Sequence, residues 1–251
     1  MKIVRTAFIA GLAAAWVVGA LVAQETRITV RVVANDAKII GTGVGGARVI
    51  IRNAATGEVL AAGVQEGGTG DTRAIMVEPR ARGASIFERD RAAHFTAAIQ
   101  IDTPTVVEVV GEGPLGYEFA TQRAVKSVLL VPGQHITGDG IVLNLHGFIV
   151  ELLEPTVATR GDVRVRTRIR MLCGCPFTPG GLWDADRLTV TARVYAGGEL
   201  VREAPLRYAG EPNIFEGTIW LADLPNGARL VVLAWDTERV NFGRSQAKPL
   251  R

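Results

Sequence analysis

The chain has 251 residues with 28 Lys and Arg against 25 Asp and Glu, and 48% of its residues are hydrophobic. That length suits one large or two ordinary domains. Removing residues 1–23, which carry Lys2 and Arg5 and no acid, leaves 26 basic residues against 25 acidic ones. A nearly neutral chain of this kind argues against nucleic acid as a partner, since that would require a clear positive excess on one face.

Residues 1–23 have the order of a secretory signal: a basic start at Lys2 and Arg5, an apolar run from Ala7 to Val18, and Leu21-Val22-Ala23 offering a small residue at the cleavage position before Gln24. The apolar run is shorter and richer in Ala and Gly than the roughly 20 apolar residues of a membrane span. Cleavage is therefore the expectation and an uncleaved anchor the alternative. Cleavage would make the protein periplasmic or secreted, with no stable membrane insertion, and would place its two cysteines in an oxidising compartment.

From Gln24 onward, apolar and polar residues alternate in short runs broken by Gly, Pro, Asn and Asp, which is the spacing of strands. "TRITVRVVAND" (26–36), "ARVIIRN" (47–53), "HFTAAIQI" (94–101), "TVVEVVG" (105–111), "SVLLV" (127–131) and "IVLNLHGFIVELLE" (141–154) form a first block, with room for a short helix within 83–95. After "EPTVATRG" (154–161) come "DVRVRTRIRML" (162–172), "RLTVTARVYA" (187–196), "ELVREAPLRYA" (199–209), "IFEGTIWLADL" (214–224) and "RLVVLAWDT" (229–237). The expected fold is all-β: two tandem antiparallel β-sandwiches at 24–154 and 162–247, joined by a linker at 155–161 and followed by a tail at 248–251.

"VGGARVIIRNAATGEVLAAGVQEGGTGDT" (44–72) resembles the transthyretin-like or carboxypeptidase-regulatory-like sandwich, with a Gly-Ala-x-Val strand before a Thr-Gly-Glu turn. "IFEGTIWLADLPNGARLVVLAWDTERVNFG" (214–243) is similar to the closing strands of bacterial immunoglobulin-like domains. These resemblances imply a secreted binding, scaffolding or spacer module. The transthyretin-like fold includes a hydrolase of purine breakdown marked by a C-terminal Tyr-Arg-Gly-Ser. This sequence reads "SQAKPLR" there, so no catalytic residue is carried over.

His94, His135 and His146 lack metal-ligand spacing, and no nucleophile-elbow, zincin or phosphate-loop motif occurs. "GTGVGG" (41–46) leads into a strand and reads as a β-turn. Asp184 and Asp186 in "WDAD" supply oxygens of the type calcium takes, although Asp is common in turns for its own backbone bonding. Arg164, Arg166, Arg168 and Arg170 line one face of a strand, either as an interaction surface for an acidic partner or as a solvated face paired to Glu199, Glu203 or Glu216.

Met171, Cys173 and Cys175 end that strand, with Gly174 permitting a bend. Three readings are open: a local disulfide, a soft-metal site suited to Cu(I), or buried thiols beside Trp183. The sequence therefore points to an exported, non-enzymatic accessory or interaction module of the cell envelope, without a cofactor, whose partner is an envelope protein or extracellular polymer. The rival is a periplasmic copper-handling or thiol-redox protein using Met171, Cys173 and Cys175.

Overall fold

The computed structural model describes residues 24–88, 91–154, 156–157 and 161–250. The expected signal peptide, residues 1–23, lies outside them. The strands are β1 (Gln24–Ala34), β2 (Ala47–Asn53), β3 (Val59–Gln65), β4 (Phe95–Ile101), β5 (Thr105–Gly113), β6 (Gln122–Leu130), β7 (Ile136–Leu145), β8 (Phe148–Leu152), β9 (Thr156–Val157), β10 (Asp162–Met171), β11 (Thr189–Ala196), β12 (Glu199–Pro205), β13 (Arg207–Tyr208), β14 (Ile214–Trp220), β15 (Arg229–Asp236), β16 (Asn241–Arg244) and β17 (Lys248–Pro249). Among the described residues one α-helix, α1, spans Thr72–Met76.

The all-β expectation holds. Sheets ordered β4-β1-β7 and β3-β2-β5-β6 make the first sandwich. Their inner faces meet so closely at Gly111 that a Cβ there would lie 2.9 Å from both Leu143 and Val32. Sheets ordered β13-β14-β10-β8, with β9 beside β10, and β12-β11-β15-β16, with β17 beside β15, make the second. Pairing is antiparallel except that β1 and β7 run parallel, a departure from the expected purely antiparallel sandwich.

The domain boundary is corrected. The run 141–154 is two strands: β7 pairs with β1, whereas β8 pairs with β10 from Met171↔Phe148 to Thr167↔Leu152. The chain crosses between sandwiches at His146-Gly147, where Gly147 has φ 149°, and not at 155–161. Within that expected linker, β9 already pairs with β10. Residues 199–209 divide in the same way, β12 joining β11 and β13 joining β14. The expected tail is also structured: Lys248 pairs with Leu230, and the Leu250 N–H donates to the Ala228 carbonyl at 2.8 Å.

No helix lies in the described part of 83–95. The helix is α1, where the Asp71 carboxylate accepts the Ala74 N–H at 2.7 Å, the N-cap bond that starts a helix. The excursion from Glu66 to His94 covers the outer face of β1, burying Val33 and Ile39 against Ile75, Ile86, Phe87 and Ala93 in a small second core.

One carboxylate anchors this cover. Asp139 accepts from the Ser85 hydroxyl at 2.6 Å and from the N–H groups of Ile86 (2.9 Å), Phe87 (2.8 Å) and Glu88 (2.9 Å). Partial burial opposes the charge, but these four donors outweigh it and hold the Asp139 carboxyl below its ordinary value of 3.8. Because the folded pKa is depressed, the latch contributes fully above pH 3.8 and is lost as pH falls through the folded value. Asp139→Ala is expected to lower the opening free energy of the Ile86–Glu88 amides by about 2–4 kcal/mol, read by hydrogen exchange. In the unsubstituted protein the same loss appears only in acid. Unchanged protection in the variant would contradict the latch.

Candidate functional site

The strand β10 alternates as its sequence requires. Val165, Thr167, Ile169 and Met171 are buried, while Arg164, Arg166, Arg168 and Arg170 lie on the opposite face. Arg164 binds both oxygens of Glu216 at 2.7 and 2.6 Å. Arg166 reaches Glu211 at 3.0 Å and Glu216 at 3.3 Å, and Arg168 is exposed. Glu216 is the cross-strand partner that the alternation suggests, while Glu203 pairs instead with Arg193 at 3.2 Å. Exposed pairs of this kind contribute about 0.2–1 kcal/mol each.

Arg170 differs from the other three. It donates to the Tyr117 hydroxyl and to Glu151, both at 2.7 Å, and its guanidinium stands 5.0 Å from the Tyr117 ring centroid. Burial works against its charge, but the Tyr117 and Glu151 oxygens outweigh that and raise its pKa. Tyr117 belongs to the first sandwich, so the last arginine of the stripe joins the two halves.

Beyond Met171 the chain reverses tightly. The Gly174 N–H donates to the Met171 carbonyl at 2.8 Å and the Met171 N–H to the Cys175 carbonyl at 3.1 Å. The Cys173 and Cys175 sulfurs stand at disulfide distance, with α-carbons 5.5 Å apart, inside the range of a bridge. Gly174 has φ 81°, and a Cβ there would come within 2.9 Å of the Val44 Cγ1 of the first sandwich. Glycine is thus required both by the backbone and by the close approach of the other half.

The following loop completes the junction. The Trp183 indole N–H donates to the Asp36 carbonyl at 3.0 Å, and Arg239 forms an ion pair with the Asp36 carboxylate. The Asn35 amide donates to the Arg239 carbonyl at 2.7 Å, and Asn241 donates to the Asn35 carbonyl at 3.2 Å while accepting the Gly147 N–H at 3.0 Å. His146 Nδ1–H donates to the Val240 carbonyl at 2.9 Å. Phe148, Met171, Phe177 and Trp183 line a cleft of about 20 Å³ together with Asp36 and Arg239. That volume falls below the roughly 300–1,000 Å³ of small-molecule sites.

The remaining candidates resolve locally. Asp184 Oδ1 accepts the N–H groups of Gly180 at 2.9 Å and Asp186 at 3.0 Å. Those two bonds, the Asp186 one first, pull its pKa below the ordinary value. Asp186 is exposed and lies in the turn Ala185–Arg187 that Asp184 caps, so the Asp184 oxygen is engaged by the backbone of its own turn. Among the described residues no three His, Cys, Asp or Glu side chains group so as to hold a metal. Asn35, Asp36, Tyr117, Arg239 and Asn241 complete the junction although their spacing in the sequence gives no sign of it. In comparisons with known proteins, the chain matches no protein-family profile and no curated protein.

Proposed function

We propose that the chain is an exported, non-enzymatic accessory or interaction module of the cell envelope, a two-sandwich body that holds its outer surfaces in fixed relation. The observation that carries this reading is the junction. Met171, Asp184 and Arg170, three of the candidate residues, are committed to packing, capping and joining the halves, and Trp183 ties the two halves together. The transthyretin-like and immunoglobulin-like resemblances of the two halves, and the signal-like residues 1–23, support the same reading. Its partner is an envelope protein or extracellular polymer that binds a surface, with no cofactor.

The test is purification from the native envelope under conditions that preserve complexes, followed by analysis of bound protein, polymer and metal. A stoichiometric macromolecular partner supports the module. Copper retained with free Cys173 and Cys175 thiols would replace it with the copper-handling reading, in which Met171 is the third ligand.

The bridge makes a separate prediction. A loop closed by residues 173–175 removes little unfolded-chain entropy, far less than the roughly 3 kcal/mol of a fifteen-residue loop. Reduction is expected to shift the melting temperature only slightly, with a two-hydrogen mass deficit in the thiol-trapped protein before reduction. Two alkylatable thiols in freshly isolated protein would refute the bridge.

A further inference from the structure

Among the described residues β6 pairs as a strand with β5 alone, and no strand pairs with its other edge. An open edge is a template for another strand, and proteins blunt it with Pro, bulges, charge or a short length. Strand β6 is nine residues long, has no Pro, and pairs with β5 in unbroken register from Thr105↔Leu130 to Gly113↔Gln122. Of its two charged residues, Lys126 is turned across to the other sheet, where it donates to the Val142 carbonyl at 2.9 Å, and Arg123, near the start of the strand, pairs with Glu112 of β5 at 3.3 Å. On the outer face Val125 is 48% exposed and Leu129 57% exposed, beside Val106 at 48% and Val131 at 42%.

We infer that β6 pairs antiparallel with β6 of a second copy of this chain about a two-fold axis through Ser127. The strand's own spacing selects that occupant and register. With Ser127 facing Ser127, Val125 lies opposite the partner's Leu129 and Leu129 opposite the partner's Val125, while Lys126 faces the partner's Val128. Moving the axis to Lys126 would put two lysines face to face and Val125 against Ser127, which like-charge repulsion and lost apolar contact disfavour.

The existing registers extend the match. Val106 is opposite Leu129, Val125 opposite Val110, Val110 opposite Ile50 and Ile50 opposite Ala62. Pairing through Ser127 therefore makes an unbroken apolar row from Val106 and Leu129 of one copy to Val125, Val110, Ile50 and Ala62 of the other. The flanking polar row runs Glu108-Ser127 into Ser127-Glu108. Self-complementarity of this kind is what a two-fold contact requires. The dimer joins two four-stranded sheets into one of eight strands and pairs the open backbone groups of β6. It does not depend on the identity of any envelope partner.

Sedimentation of the purified full chain across a concentration series tests this, with melting curves to confirm folding. A dimer is expected, and Val125→Lys, Leu129→Lys or both should halve the apparent mass while the variants still melt cooperatively, their melting temperature falling no further than loss of the concentration-dependent dimer contribution requires. Opposed α-carbons in an antiparallel pair lie about 4.5–5.5 Å apart, within disulfide reach. Oxidation of Ser127→Cys should thus join two chains, whereas Val131→Cys, far from the axis, should not. A monomer at every concentration, a dimer indifferent to the lysine substitutions, or cross-linking through position 131 and not 127 would overturn the inference.

Discussion

Gln65→Leu is expected to lower the unfolding free energy by about 2–5 kcal/mol, although it keeps the side-chain size and adds apolar character. Gln65 ends β3 fully buried. Its Oε1 accepts the Val32 N–H at 2.7 Å, and its Nε2 donates to the carbonyls of Val32 at 2.9 Å and Ile40 at 2.8 Å. The need arises in β1. Strand β4 pairs with β1 only as far as Phe95↔Val30, and beyond it the Ile39 bridge to Val33 brings the Ile40 N–H to the Val32 carbonyl but leaves the Val32 N–H to the Gln65 side chain. The Gln65 amide has one acceptor and two donors in the places a peptide unit would put them. Leucine leaves the Val32 N–H and the Ile40 carbonyl unpaired away from water, while the Val32 carbonyl keeps the Ile40 N–H at 3.0 Å. Each orphaned group costs about 1–3 kcal/mol. Urea unfolding measures the change, and a loss under about 1 kcal/mol would show that the amide is not completing the strand. Gln65→Glu should be worse still, since a carboxylate turns lone pairs toward two carbonyls.

The same residue shows what the sequence could and could not convey. Strands such as β1, β5 and β10 are legible because one face is buried, which enforces a two-residue period. Strand β3 was unreadable because "VLAAGVQ" is mostly small and apolar, with Gly63 flat against the Phe95 ring. The runs 141–154 and 199–209 each looked like one strand, since alternation continues while the chain changes sheets. Only Gly147, at a fold-dependent φ, marks the first break. At the junction, the partners of Trp183, Asn35 and His146 are main-chain carbonyls. A carbonyl leaves no trace in residue type, and Asn35 and Arg239 are 204 positions apart. The arginine stripe and the cysteine pair were legible because their causes are local.

Trp183→Ala is expected to cost about 3–5 kcal/mol and, beyond that, to uncouple the halves of the molecule. Trp183 is 8% exposed and packs in the apolar cluster that runs without interruption from Ile28 of the first sandwich to Leu230 of the second. Alanine removes the largest side chain of the junction and leaves the Asp36 carbonyl without its indole donor. Trp183→Phe keeps most of the apolar area and should lose only the hydrogen bond, about 1–2 kcal/mol. Because the cluster is shared, the unsubstituted chain should unfold in one calorimetric transition. With the tryptophan truncated, the polar bonds of Asn35, Asp36 and Arg239 stand at a wetted seam, where they are individually weak. The two sandwiches should then melt separately, with faster proteolysis near His146-Gly147. Trp220 supplies the control: it is 45% exposed against Gly161 at the end of β14, so Trp220→Ala should cost about 1 kcal/mol or less and keep a single transition. Equal losses for the two tryptophans, with one transition in each, would mean that the halves are not held together through Trp183.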